Sequence, residues 1–260
     1  MVSQVTLAPG RNLFEEDPFI QGHETPLLGE AFFWWDWVAL RLSPTYWGCG
    51  LTRGHGEPVV VVPGFLASDL YLSELYLWLG RIGYRPYFSR IGQNDDCPDY
   101  KTELLLETVR TVYRETGQRV RLVGHSLGGL LARSVALGHP ELVECVVSLG
   151  SPIGDEVRAH PFLLDQVAKL RDEVGQNGRH IQPLCFSRHC TCPFTRSAMA
   201  NQKHETRHFS VISRIDGVVA WESCLEDDPN LNTLVSCTHI GLAFHPEVYT
   251  AIARRLTPAA

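Results

Sequence analysis

Ser126 lies in Gly124-His125-Ser126-Leu127-Gly128, a G-x-S-x-G pentapeptide. A serine in that setting can attack an electrophilic carbon, provided that a base removes its proton and a third group orients the base. His239 closes the run TLVSCTH and Asp216 closes FSVISRID, so a nucleophile, a carboxylate and an imidazole follow one another in that order. An attack by Ser126 would create an oxyanion that needs preorganised backbone donors. Leu127, next to the serine, offers one N–H, and Phe65 in Pro63-Gly64-Phe65 is the candidate for the second.

Each of these groups has rivals. Asp227, Asp228 and Glu222 stand in a polar loop where solvated charge is the ordinary reading, and Asp155 and Asp165 belong to a segment that interrupts the main pattern. His245 precedes Pro246 at a helix start, which suits a capping or surface residue, whereas His239 follows a strand directly. A serine at a helix start can also be an N-cap. Pro63-Gly64 can equally be a plain strand-to-helix turn.

The pentapeptide is informative only where a strand ends and a helix begins. RVRLV precedes it and LGGLLARSVAL follows it. The flanking Gly124 and Gly128 lack the Cβ atoms that would collide in so sharp a turn. Further along the chain, periodicity predicts strands over 58–63, 85–91, 119–123, 144–149, 208–213 and 233–238, and helices over 69–80, 98–116, 127–138 and 246–256. Short continuous apolar runs such as VVVV and CVVSL are those of strands buried on both faces. The expected fold class is therefore α/β, a mostly parallel sheet with helices on both faces and an inserted cap. The expected division is an N-terminal extension over 1–56, a core over 57–152 and 206–260, and a cap over 153–205.

With 260 residues, 44% hydrophobic and 20% charged, the chain can bury a sizeable core, which argues against disorder. A net charge of -6 supplies no basic field for nucleic acid. The stretch LLGEAFFWWDWVALRL, 27–42, is too short and too charged for a transmembrane helix. It is expected to pack on the core, with an interfacial or substrate-facing helix as the alternative. The first twenty residues contain neither a basic nor an apolar leader region, which makes a cytoplasmic location the expectation.

Eight cysteines complicate that expectation. Cys145, in an apolar run, reads as a small buried residue, and a disulfide between Cys224 and Cys237 is one open reading. Cys185, His189, Cys190 and Cys192 invite a metal but lack the two-plus-two spacing of familiar zinc sites, so structural thiols or a disulfide in the cap are expected instead.

From about Glu57 to Leu256 the chain resembles the lipase and esterase branch of the α/β-hydrolase superfamily. The resemblance rests on GHSLGG, on VVSLGSPIGD after the nucleophile helix, on DGVVAWESC around the acid and on HIGLAFHPEVYTAIARRL around the histidine. It implies a small-molecule or lipid carboxylic ester substrate, an acyl-serine intermediate and no cofactor. Acyl transfer by the same residues and a non-catalytic binding role are the alternatives, while a carboxylate-nucleophile dehalogenase is disfavoured by the serine at 126. The chain departs from many such lipases in having Pro63-Gly64 where they carry His-Gly, which bears on substrate contacts at that loop. The cap would roof the acyl pocket. Pro161, Phe162, Leu163, Leu164, Val167 and Leu170 would either line that pocket or simply pack a helix on the domain.

Overall fold

Val59 to Val62 are wholly buried, and their side chains enter two different apolar layers in alternation. That is the signature of a central strand covered on both faces. The computed structural model describes residues 20–22, 27–153, 157–172, 180–182, 184–187, 190–198 and 205–257. In chain order the elements begin with β1 (Ile20–Gly22), α1 (Phe33–Leu42), β2 (Pro58–Val62), α2 (Ser73–Arg81) and β3 (Arg85–Phe88). Next come α3 (Pro98–Thr116), β4 (Val120–His125), α4 (Leu127–Gly138), β5 (Val143–Leu149) and β6 (Val157–Ala159). The last are α5 (Pro161–Asp172), α6 (Pro193–Ala198), β7 (Arg207–Ser213), β8 (Asn232–Val235) and α7 (Pro246–Leu256).

Six strands form one sheet in the order β3-β2-β4-β5-β7-β8, with every pairing parallel. Val59 and Val61 pack with Trp78 and Leu79 of α2 and with Val248, Tyr249 and Ile252 of α7. Val60 and Val62 pack on the opposite face with Leu105 and Val109 of α3 and Leu131 and Val135 of α4. The chain runs from β2 outward to β3, then returns through α3 to β4 on the other side of β2. The loops after β2 and β4 therefore diverge and open a crevice at the carboxyl end of the sheet. Phe65 follows β2 and Ser126 follows β4, so this reversal of strand order sets the two side by side.

Several boundaries differ from expectation for identifiable reasons. β3 stops at Phe88 rather than 91 because the Asp69 carboxylate accepts hydrogen bonds from the Ser89 and Arg90 N–H groups at 3.1 and 2.9 Å, and Arg90 takes a φ of 58°. β8 stops at Val235 rather than 238. There the Ser213 hydroxyl donates to the Cys237 carbonyl and accepts the Cys237 N–H, replacing the backbone ladder with side-chain bonds. A two-stranded parallel pair, β1 with β6, joins residues 20–22 to residues 157–159 and has no counterpart in the expected elements.

Cys224 and Cys237 do not form the disulfide that remained open. Both are free and buried, Cys224 beside Ile212 and Val219 and Cys237 in the layer with α7. Cys145 is buried as expected. In α1 only Leu40 is buried, while Trp34 and Trp35 stack at 4.0 Å and stand 44% and 57% exposed. Trp37 and Arg41 both donate to the Glu74 carboxylate of α2, which ties the inner side of α1 to the core. Among the described residues, no helix is long and apolar enough to cross a membrane.

A Cβ on Gly128 would lie 2.3 Å from the Val62 carbonyl oxygen and 2.6 Å from that of Pro63, whereas one on Gly138 at the far end of α4 meets nothing within 4 Å. Gly128→Ala should therefore lower the thermal midpoint, at a cost of about 1–3 kcal/mol from overpacking. Gly138→Ala should raise it, by about 0.4–1 kcal/mol through the unfolded chain. Equal midpoints in calorimetry would contradict this account of the β2–α4 contact.

Candidate active site

Ser126 alone makes the turn between β4 and α4, with φ 52° and ψ −124°. For a residue with a Cβ this is a strained backbone, on the order of 1–3 kcal/mol, and it persists because the surroundings over-determine it. The Ser126 N–H bonds to the Leu149 carbonyl at 2.8 Å, and the Ser126 carbonyl accepts from the Ser151 hydroxyl at 2.7 Å and the Gly129 N–H at 3.0 Å. The glycine spacing is a contact: a Cβ on Gly124 would stand 2.5 Å from backbone atoms of Gly128.

Asp216 and His239 lie in the loops that follow β7 and β8. The Asp216 Oδ2 accepts a hydrogen bond from His239 Nδ1 at 2.6 Å, while its Oδ1 accepts the N–H groups of Val218 and Val219 at 2.9 and 2.8 Å. Because Nδ1 donates, a neutral His239 carries its lone pair on Nε2. Both side chains are buried. Burial by itself would lower the pKa of His239, but the charge and hydrogen bond of Asp216, with the charge of Glu30, outweigh it and raise the imidazole above its ordinary value. Ser126 and His239 line the same cavity. Among the described residues no hydrogen bond yet joins the Ser126 hydroxyl to the ring, a link that tightens in many hydrolytic sites only when substrate binds.

The N–H groups of Phe65 and Leu127 have no acceptor among the described residues, so both can serve an oxyanion. The loop that carries Phe65 is held from beneath by Asn94, a wholly buried residue. Its side-chain amide donates to the Pro63 carbonyl at 2.9 Å, its N–H donates to Ala67 and its carbonyl accepts from Leu66, each at 2.8 Å. Nothing in GQNDDC distinguishes Asn94 from an ordinary turn residue.

The histidine loop is held in the same manner. His125 Nε2 lies 2.9 Å from the His239 carbonyl oxygen, which can only accept, so the ring donates there. Burial and then the neighbouring His239 push the pKa of His125 down to about 3, which keeps it neutral. The Tyr71 hydroxyl donates to the Ile240 carbonyl at 3.0 Å. Glu30, in the 3-10 turn Leu27–Phe32, accepts the N–H groups of Gly217, His239 and Ile240. None of these partnerships has a motif, since each ends on a backbone atom.

The cavity holds about 290 Å³ and is apolar around the reacting groups, with Phe65, Leu66, Tyr71, Phe162, Leu163 and Val218 in its wall. The two readings of α5 both apply, one to each side of the helix. Phe162 and Leu163 face the cavity, whereas Val167 and Leu170 are buried in small clusters that include Phe65. Among the rivals, Asp227, Asp228 and Asp165 are exposed, Glu222 pairs with Arg158 at 3.5 Å, and His245 caps α7 by accepting the Glu247 N–H. Asp155 and His189 lie outside the described residues. Cys185 sits 3.6 Å from Cys97, sulfur to sulfur, and Cys190 sits 3.2 Å from Cys192. Among the described residues, no group of three or more His, Cys, Asp or Glu side chains is placed to hold a metal ion.

A parallel six-stranded sheet, a serine on the turn after its central strand and an acid and a histidine after the last two strands together define the alpha/beta hydrolase fold. A sequence profile described by that name matches residues 57–177. Over 83% of this chain and 100% of the other, the structure is similar to Bacillus licheniformis lipase BlEst2 in mature form, with a TM-score of 0.54 and 20% identity. Naproxen esterase (carboxylesterase NP) from Bacillus subtilis is similar over 79% of this chain and 85% of its own, with a TM-score of 0.51 and 15% identity. In sequence the chain is 36% identical to a triacylglycerol lipase of Burkholderia plantarii over 136 residues, 49% of this chain and 37% of that protein. A triacylglycerol lipase of Pseudarthrobacter phenanthrenivorans is also 36% identical, over 36% of this chain and 33% of that protein. The chain thus spans about a third of the length of the curated relatives it matches.

His239 can accept a proton from Ser126 only when it is itself unprotonated. Its pKa lies above the ordinary 6.5, so the acid limb of Ser126 reactivity should also lie above pH 6.5, with the rate falling as pH drops through it. Labelling by a fluorophosphonate followed from about pH 5 to about pH 9 reads this limb directly. A limb at or below the ordinary histidine value would contradict the Asp216–His239 geometry.

Proposed function

We propose that the chain hydrolyses carboxylic esters through an acyl-enzyme on Ser126. The observation that carries this reading is the 2.6 Å Asp216–His239 bond, which orients the imidazole in the cavity that Ser126 enters from its strained turn. His239 Nε2 takes the Ser126 proton as Oγ attacks the ester carbonyl carbon. The oxyanion is received by the Phe65 and Leu127 N–H groups. Collapse of the intermediate breaks the bond to the alcohol oxygen, which leaves with the proton from His239. Water, deprotonated by His239, then attacks the acyl carbon, and the acid is released with Ser126 restored.

The apolar wall supports an ester with an apolar acyl group, in keeping with the relatives named triacylglycerol lipase. The exposed Trp34 and Trp35 support a substrate presented at an interface, since amphipathic rings of this kind favour the boundary between water and acyl chains. Acyl transfer to an alcohol, amine or thiol would use the same residues.

Turnover of a p-nitrophenyl ester series by the wild type and by Ser126→Ala tests the reading. Wild-type turnover is expected, with a loss in Ser126→Ala on the order of 10⁴-fold or more. Activity that survives in the variant would remove Ser126 as the nucleophile, and acyl products dominated by an added alcohol would favour transfer over hydrolysis. For the interface, a Trp34→Ala/Trp35→Ala double variant should bind phosphatidylcholine vesicles more weakly than the wild type while keeping its turnover of soluble short-chain esters. Unchanged binding removes the interfacial role.

A further inference from the structure

The buried carboxylate of Glu30 stands outside the strands and loops that carry the triad, yet it touches the backbone of two of its members. Oε1 accepts the Gly217 N–H at 2.9 Å and the His239 N–H at 2.8 Å, and Oε2 accepts the Ile240 N–H at 2.8 Å. Gly217 is the residue after Asp216, and His239 and Ile240 form the turn that carries the imidazole. One side chain therefore fixes the separation between the acid loop and the histidine loop. The bonds cross 187, 209 and 210 residues of sequence, so no local interaction substitutes for them.

The surroundings reinforce the same loop. The histidine turn passes so close to α1 that a Cβ on Gly241 would lie 2.0 Å from the Asp36 carboxylate. Glu30 is only 6% exposed and borders the cavity, so its charge acts on His239 through little water.

We infer that Glu30 is a positioning residue of this site, a carboxylate lent by the N-terminal extension that holds the acid loop and the histidine loop at a fixed separation. The inference rests on the reading of Ser126, Asp216 and His239 as a hydrolytic triad. Glu30 does not touch the reacting atoms and acts through the two loops. Its nearness to His239 favours the imidazolium, in the same direction as Asp216.

The test uses the full chain with Glu30→Gln and Glu30→Asp. Gln keeps the size, loses the charge and turns an N–H₂ group toward one of the three donors. Asp keeps the charge but shortens the reach. Three readouts are taken: kcat and KM for a p-nitrophenyl ester, the titration of His239 by NMR, and the low-field Nδ1 proton of the Asp216–His239 bond. Glu30→Gln should lower kcat by roughly 10- to 100-fold with KM little changed, the cost of a slightly misplaced base. Its His239 should titrate at lower pH than in the wild type, and the low-field proton should shift. Glu30→Asp should lower kcat while leaving the titration near that of the wild type. If Glu30→Gln fails to fold, a Glu30→Asp protein with wild-type kcat and an unshifted low-field proton overturns the proposal. A variant that loses only thermal stability, with kcat, titration and low-field proton unchanged, also overturns it. A wild type that neither turns over esters nor labels at Ser126 refutes the hydrolytic reading instead, and the His239 titration still reports on Glu30.

Discussion

The turn at Ser126 is the constraint on which the rest of the site depends. A serine held at φ 52° stores strain, and the fold keeps it there by bonding both its backbone groups and by closing Gly124 onto Gly128 and Gly128 onto the end of β2. Those contacts leave no room for a side chain at either glycine. They also bring the start of α4 against the Pro63 carbonyl, so the loop with Phe65 and the helix with Leu127 cannot separate without breaking the turn. Strain at Ser126 and the placement of the Phe65 and Leu127 N–H groups are thus one arrangement seen from two sides.

Several polar side chains beside the cavity bond to backbone atoms of the loops around it. Asn94, His125, Tyr71 and Glu30 all bond to backbone atoms of the loops that carry function. Hydrogen bonds made inside a poorly solvated interior are worth more than the same bonds in water, and a missing partner costs more. Bonds of this kind reach the loops after β2, β7 and β8 alike. Burial keeps His125 neutral, with its ring centroid 4.8 Å from that of His239.

What could be read from the amino-acid order follows a physical line. The valines of β2, the strand-to-helix passage at Ser126 and the ordered Asp216 and His239 were legible because strand burial and loop position leave a pattern in neighbouring residues. The early ends of β3 and β8 were not, because Asp69 and Ser213 terminate them through side chains folded onto the backbone. The Cys224–Cys237 pairing failed for a related reason: proximity to the same two strands did not bring the thiols into the same layer. Glu30 and Asn94 were invisible for the plainest reason. Their partners are N–H and C=O groups, which every residue possesses, so no residue type marks the other end of the bond.

The pairing of β1 with β6 bears on where this molecule can be shortened. A chain trimmed to begin at 57 would retain Ser126, Asp216, His239 and all six strands of the main sheet. It would also leave the edge of β6 bare and three amides, at Gly217, His239 and Ile240, without the carboxylate that holds the acid loop to the histidine loop. The shortest stretch that carries the fold and the shortest stretch that carries a finished site are therefore different lengths of polypeptide, and the difference is the segment that looks most like an appendage.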